Sequence, residues 1–182
     1  DAMISWSSDR GATWSDPERV SVPSDRGYYS AVALSPDGED AYLVYNAFTT
    51  PFRTNTTDAR GLVGVVRHAE VGDGGPTGWT TLERGAVGDP RASSQNDLQA
   101  EFLGDYVYAS ATRDYAVAVW NDVRDGAVCP AINSWRAALQ AGEDVTPPRP
   151  NIDCPAKLAT LCLRDIQVDL VLGKRPDSLT FD

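Results

Sequence analysis

Apolar and polar residues alternate along most of the chain in short runs of period two, the spacing that turns one face of a β-strand to a core and the other to water. Met3-Ile4 opens the first run, and Glu18-Arg19-Val20-Ser21-Val22 forms the second after a polar turn. Ser30–Leu34 and Ala41–Tyr45 follow, joined by Ser35-Pro36-Asp37-Gly38, a sequence built for a tight turn. A long polar loop leads to Leu62–Val66, and Thr80–Arg84 comes next. Tyr106–Ser110 and Ala116–Trp120 close the series. One stretch breaks the period. Within Ala131–Gly142, Trp135, Ala138 and Leu139 recur at helical spacing, which predicts a short amphipathic helix with a packed apolar face, followed by a loop at Val145–Pro150.

The strands group in fours. Residues 28–85 hold one complete unit, residues 1–22 the last two strands of a unit before it, and residues 102–182 the first two strands of a third. Tyr45-Asn46-Ala47 in the middle unit corresponds to Trp120-Asn121-Asp122 in the next. Such recurrence predicts an all-β fold: a partial β-propeller of four-stranded antiparallel blades, forming a single domain over 1–182. The unit exceeds the roughly 40–50 residues usual for a blade, and long loops account for the excess. A β-sandwich is the competing architecture, but it does not explain turns of one type at matching positions. Two and a half units are too few to close a ring. The expectation is that missing blades come from a longer chain or from self-association, since bare strand edges and apolar blade faces favour association.

The first turn carries the most specific pattern, Ser7-x-Asp9-x-Gly11-x-Thr13-Trp14. Asp9 is placed to accept hydrogen bonds from nearby amides, Gly11 to take a positive φ, and Trp14 to fold back and bury its ring. Ser7, Asp9, Gly11, Thr13 and Trp14 together resemble a full Asp box, the repeat also called BNR, of secreted bacterial sialidase-like β-propellers. The resemblance implies a structural turn capping the third and fourth strands of a blade, so Asp9 reads as a turn lock in preference to a catalytic acid. Gly72–Trp79 resembles a degraded copy.

Composition adds limits. No apolar run approaches the roughly 20 residues of a membrane span. A net charge of −10 repels phosphate backbones, which argues against nucleic-acid partners. Cys129 and Cys154 each precede a proline and bracket a polar, Pro-rich stretch. They are expected to form a disulfide closing the loop that holds the helix, in a secreted protein. There is no Cys-x-x-Cys, the single histidine, His68, is far off in sequence and reads as a packed residue, and no EF-hand spacing occurs, so neither metal nor cofactor is expected. Cys162 is left over. Related secreted Asp-box proteins continue from a segment like Asp153-Cys154-Pro155-Ala156 into a Gly- and Asn-rich strand, whereas Lys157–Arg164 does not. A shifted reading frame near Lys157 is one account of this atypical tail; with the frame intact, Val168–Leu172 is a strand.

In a four-stranded blade the turns after the first and third strands share one face, and the remaining loops share the other, which carries the site in propellers. That rule gathers Asp25, Arg26, Tyr28 and Tyr29; Phe52, Arg53 and Arg60; Asp89, Arg91, Gln95, Asn96, Asp97, Glu101, Asp105 and Tyr106; and Asp122 and Arg124 on one rim. The sialidase resemblance implies an exo-acting glycoside hydrolase that takes terminal sialic acid or related sugars from glycoconjugates. Arginines would hold the sugar carboxylate, a tyrosine with a glutamate base would attack, and an aspartate would serve as acid. By position and residue type alone, the candidates are Arg53 and Arg124 for the carboxylate, Tyr106 as nucleophile, Glu101 as its base, and Asp105 or Asp122 as acid. The alternative is a non-catalytic carbohydrate- or protein-binding propeller in which Tyr28, Tyr29 and Phe52 stack on sugar rings. A structural reading stands beside both: Tyr106 in the core, and Asp122 paired with Arg124.

Overall fold

The structure, a computed structural model, describes residues 1–51, 60–90, 106–124, 130–149 and 153, together with the backbone of 167–174. It is mostly β, in antiparallel sheets with one helix. Strands β3 (Arg26–Leu34), β4 (Asp40–Phe48), β5 (Leu62–Gly72) and β6 (Gly75–Arg84) form a meander in that order. Ahead of it, β1 (Met3–Ile4) and β2 (Glu18–Arg19) pair as a hairpin, with Met3 opposite Arg19. Behind it, β7 (Tyr108–Ala111), β8 (Tyr115–Asp122) and β9 (Gln167–Lys174) form a third sheet.

The three sheets stack. Leu43, Tyr45 and Ala47 of β4, with Val63 and Val65 of β5, pack against Ala2 and Val20 of the hairpin segment. Val44 and Val66, which alternate with them, pack against Val107, Ala118 and Trp120 of the third sheet. Strand β4 is therefore covered on both faces, and every residue from Asp40 to Ala47 is buried. A strand covered on both sides has no reason to alternate, which is why Ala41–Tyr45 reads as one apolar run. Each such side chain contributes about 1.5–3 kcal/mol on leaving water.

Two fits set the spacing between the middle and third sheets. The Trp120 indole lies directly on Gly64, where a Cβ would overlap the ring. Next to it, the buried Asn46 amide donates to the Asn121 carbonyl at 2.9 Å, and its oxygen accepts from the Asn121 N–H at 3.3 Å. The pairing of Asn46 with Asn121, which the sequence shows as matched positions in successive units, is thus a physical bond between them.

Several boundaries differ from the sequence expectation. Strand β3 begins at Arg26, so Tyr28 and Tyr29 lie on a strand with a bulge between Tyr28 and Ser30, and Tyr29 has a φ of 44°. Gly72–Trp79, expected to resemble a degraded Asp box, forms a plain hairpin. Asp73-Gly74 forms a two-residue hairpin closed by the Gly72–Gly75 pair, and Gly75–Trp79 already belong to β6. Val71 stands two residues before Asp73, so the serine hydroxyl on which an Asp box turns is missing. The tail supplies a third strand, β9, along β8 from Gln167 to Lys174. Helix α1 (Pro130–Gln140) starts at a proline and ends in a Schellman pair, Gly142 N–H to Leu139 and Glu143 N–H to Ala138. Its deepest residues are Ile132 and Arg136, while Trp135 is half-buried and donates to the Val145 carbonyl at 3.3 Å. Cys129 and Cys154 lie outside the described residues. No helix among the described residues is long and apolar enough to cross a membrane.

Replacing Gly64 by alanine should force the Trp120 ring off its seat and destabilise the chain by about 1–3 kcal/mol, the usual cost of overpacking. Urea unfolding of Gly64→Ala should show a lower midpoint with an unchanged slope. An unchanged midpoint would mean that the two sheets do not meet at Gly64.

Candidate functional site

At one end of the stacked sheets the turns lock themselves. In the Ser7–Trp14 turn the Ser7 hydroxyl donates to Asp9 Oδ1 at 2.7 Å and accepts from the Gly11 N–H at 2.7 Å. Asp9 also accepts from the Thr13 N–H at 2.8 Å and from the Thr13 hydroxyl at 2.7 Å. Gly11 has a φ of 87°, a conformation that a side chain rarely adopts. The Thr13 N–H, the Thr13 hydroxyl and the Ser7 hydroxyl hold the Asp9 carboxyl down to about 2. With all these bonds internal to the turn, Asp9 stands as a turn lock. The Trp14 ring does fold back, donating to the Gly11 carbonyl at 3.2 Å, but it stays 66% exposed instead of burying itself. The Ser35–Gly38 turn repeats the device: Ser35 donates to Asp37 at 2.6 Å and accepts from the Asp40 N–H at 3.0 Å.

The other end carries the rim. The Tyr28 ring lies 4.0 Å from Tyr29 and 5.4 Å from Phe48, centroid to centroid. Tyr28 and Phe48 rest on Leu62 and Val123. Leu62 and Gly88 exchange backbone hydrogen bonds at 2.9 and 3.0 Å, and Gly88 abuts the Val123 backbone. Residues from β3, β4, β5, the segment after β6 and the turn after β8 therefore meet at one place. Next to Val123, the Arg124 side chain donates to the buried Asp122 carboxylate, which also accepts the Arg124 N–H at 2.9 Å. The structural reading of this pair is what the geometry shows, and Asp122 could act as an acid only by parting from Arg124. Tyr106 is 69% exposed and stacks on Tyr108 with centroids 6.2 Å apart, so it is not a core residue. Phe52, Arg53, Glu101 and Asp105 lie outside the described residues, as do Arg91, Gln95, Asn96 and Asp97.

A third group was not assembled by sequence reasoning. Asp25, 3% exposed, takes two parallel hydrogen bonds from Arg84, at 2.9 and 2.7 Å, and one from the Tyr45 hydroxyl at 2.8 Å. The Tyr45 oxygen accepts the Val22 N–H at 3.0 Å. Burial alone would push the Asp25 carboxyl up, but the bonds from Arg84 and Tyr45 outweigh it and hold it below its ordinary value. Burial, with the Asp25 carboxylate beside it, pushes the Tyr45 hydroxyl up to about 12. Asp25 and Arg84 are 59 residues apart in sequence, so no local pattern shows them as partners. The group fixes the turn at Ser24, whose φ is 75°, and so sets where β3 starts.

His68 is a packed residue, as expected: it is 4% exposed, with Nε2 2.8 Å from Asp40 Oδ1 and its ring 4.9 Å from Tyr42. Among the described residues no cluster of three or more His, Cys, Asp or Glu side chains could hold a metal ion. The rim thus gathers an aromatic cluster of Tyr28, Tyr29 and Phe48 beside the Asp122–Arg124 pair. No family model, curated protein or solved structure matches the chain.

The Asp25 group makes stability depend on pH at both ends. A carboxyl whose folded value is lowered stabilises fully above its ordinary value and loses that contribution as pH falls through the lowered one. A tyrosine whose folded value is raised stabilises fully below its ordinary 10 and loses that contribution as pH rises through about 12. Thermal unfolding should therefore show a plateau that falls away in acid and in strong alkali, and Tyr45→Phe should abolish part of the alkaline fall. A flat alkaline limb in the parent chain would count against the buried Tyr45–Asp25 bond. Separately, Asp9→Ala should speed amide exchange at Thr13 and leave the Tyr28–Phe48 rim unchanged, which two-dimensional NMR would show.

Proposed function

We propose that this chain is part of a secreted Asp-box β-propeller of the sialidase type, an exo-glycoside hydrolase acting on terminal sialic acid or related sugars of glycoconjugates. The observation that carries this is the closed hydrogen-bond pattern of Ser7, Asp9, Gly11 and Thr13, the pattern that the Asp box resemblance requires. Face-to-face stacking of a four-stranded meander between two further β layers supports the blade reading. Further blades would come from a longer chain or from self-association. In this reading Tyr106, with its ring exposed, is the nucleophile and Glu101 its base; Asp105 or Asp122 is the acid, and Arg53 and Arg124 receive the substrate carboxylate.

A second reading is favoured by one observation, the mutual pairing of Asp122 and Arg124. If that pair is permanent, neither serves chemistry, and the platform of Tyr28, Tyr29 and Phe48 makes a carbohydrate-binding surface instead. Hydrolysis of a fluorogenic sialoside by the protein as its gene encodes it separates the two. Cleavage that Tyr106→Phe reduces by at least about a hundredfold, as loss of a covalent step would, supports the hydrolase. No cleavage, combined with glycan binding that Tyr28→Ala abolishes, assigns the rim to binding.

A further inference from the structure

Two turns of the middle sheet hold an Asp-Gly pair: Asp37-Gly38 between β3 and β4, and Asp73-Gly74 between β5 and β6. A further pair, Asp125-Gly126, lies outside the described residues. An Asp-Gly pair is open to rearrangement of the main chain, because glycine has no side chain to keep its nitrogen from the preceding carboxyl group.

The two turns differ in whether the reacting atoms are held. Asp37 accepts the Ser35 hydroxyl at 2.6 Å, and the Gly38 N–H donates to the Ser35 carbonyl at 2.9 Å. Carboxylate and nitrogen are both committed there. In the other turn Asp73 and Gly74 are exposed, and no hydrogen bond among the described residues takes up the Asp73 carboxylate or the Gly74 N–H. A Cβ built on Gly74 would meet nothing within 4 Å, so the nitrogen is open to approach. Glycines at 72, 74 and 75 leave the backbone around Asp73 free to rotate.

We propose that Asp73 is a modification site, at which the folded chain isomerises spontaneously to isoaspartate while Asp37 is protected. The Gly74 nitrogen attacks the Asp73 side-chain carboxyl carbon. A C–N bond forms, and one carboxyl oxygen leaves as water with the amide proton, which closes a succinimide ring. Water then opens the ring. Attack at the side-chain carbonyl restores aspartate, and attack at the main-chain carbonyl gives isoaspartate. The water lost in the first step is regained in the second, and no electrons are exchanged.

Isoaspartate adds one atom to the main chain of a two-residue hairpin closed by Gly72 and Gly75. Gly75, with a φ of 94°, lies so close to the Trp6 indole that a Cβ there would overlap the ring. Trp6 in turn is tied to the end of the Ser7–Trp14 turn: its N–H donates to the Ser15 hydroxyl at 3.1 Å, and its carbonyl accepts the Ser15 N–H at 2.9 Å. A longer hairpin therefore shifts the seat of Trp6 and is felt in that turn.

The test incubates the folded chain beside the chain unfolded in urea. Peptides spanning each turn are then assayed for isoaspartate with an isoaspartyl carboxyl methyltransferase and mass spectrometry. In the folded chain isoaspartate should form at Asp73 at least about tenfold faster than at Asp37, the factor that two hydrogen bonds of ordinary strength provide. In urea the two sites should react at similar rates. Gly74→Ala, whose methyl group has room, should slow the reaction at Asp73 and leave Asp37 unchanged. The Trp6 indole signal in NMR should move as isoaspartate accumulates, and that of Trp120, at the opposite sheet interface, should not. Equal rates at the two sites in the folded chain, or the same bias in urea, overturns the proposal. An unmoved Trp6 signal overturns its transmission to the Ser7–Trp14 turn.

Discussion

Strand β4 must be covered on both faces, and most of the fold follows from that requirement. Its side chains alternate between two apolar clusters, one closed by the β1–β2 segment and the other by the third sheet. A strand of this composition left half exposed would put Val44 or Leu43 in water at a cost of about 1.5–3 kcal/mol each. Asn46 is a polar side chain in the middle of this run, fully buried, and it would be costly without partners. It finds them in the Asn121 backbone across the sheet interface. The same residue that would weaken a dry core therefore fixes which part of the third sheet faces the middle one. Trp120 completes the fit because Gly64 leaves space for its ring.

Stacking of this kind divides the molecule into two ends with different physics. The turn end is held by short side-chain bonds inside each turn: Ser7 to Asp9, Asp9 to Thr13, Ser35 to Asp37. Those bonds consume the carboxylates that would otherwise be available for chemistry. The rim end is held by longer connections, Arg84 to Asp25 across the sheet and Leu62 to Gly88 between loops. Its aromatic side chains Tyr28 and Phe48 rest on Leu62 and Val123. Tyr29 sits at a φ of 44°, a conformation that a bulky residue adopts only when its surroundings enforce it.

How far the sequence showed this depends on whether a signal was local. Alternation and turn residues placed all four strands of the middle sheet, because each depends on neighbours within a few positions. The Ser7–Thr13 turn was legible for the same reason, as every bond in it spans four residues or fewer. Trp14 misled: an indole after a turn suggests burial, but the ring is exposed. Gly72–Trp79 has the Gly, Asp and Thr of the box, but Val71 stands where the full box has serine. The start of β3 was missed because a bulge breaks the period at Tyr28, and Arg136 because a buried arginine on a helix has no counterpart in apolar spacing. The Asp25–Arg84–Tyr45 group was out of reach for a different reason, since only the fold brings those three residues together.

The charge balance at the rim bears on what it could hold. The chain carries a net charge of −10, so an anionic sugar must find local positive charge that the chain as a whole opposes. Arg84 is bound to Asp25 and Arg124 to Asp122, and each pair brings no net charge to the rim. In the proposed hydrolase a carboxylate-bearing sugar would have to draw Arg124 away from Asp122, which leaves the buried Asp122 carboxylate unpaired and is costly. In the binding reading a neutral sugar would need no such separation, and its partner would be the cluster of Tyr28, Tyr29 and Phe48. The Asp122–Arg124 bond thus bears differently on the two proposed readings. In the hydrolase reading, an Arg124 drawn off by substrate would leave Asp122 as a buried carboxylate that must first take up a proton before it could serve as an acid, so binding and protonation would have to be coupled.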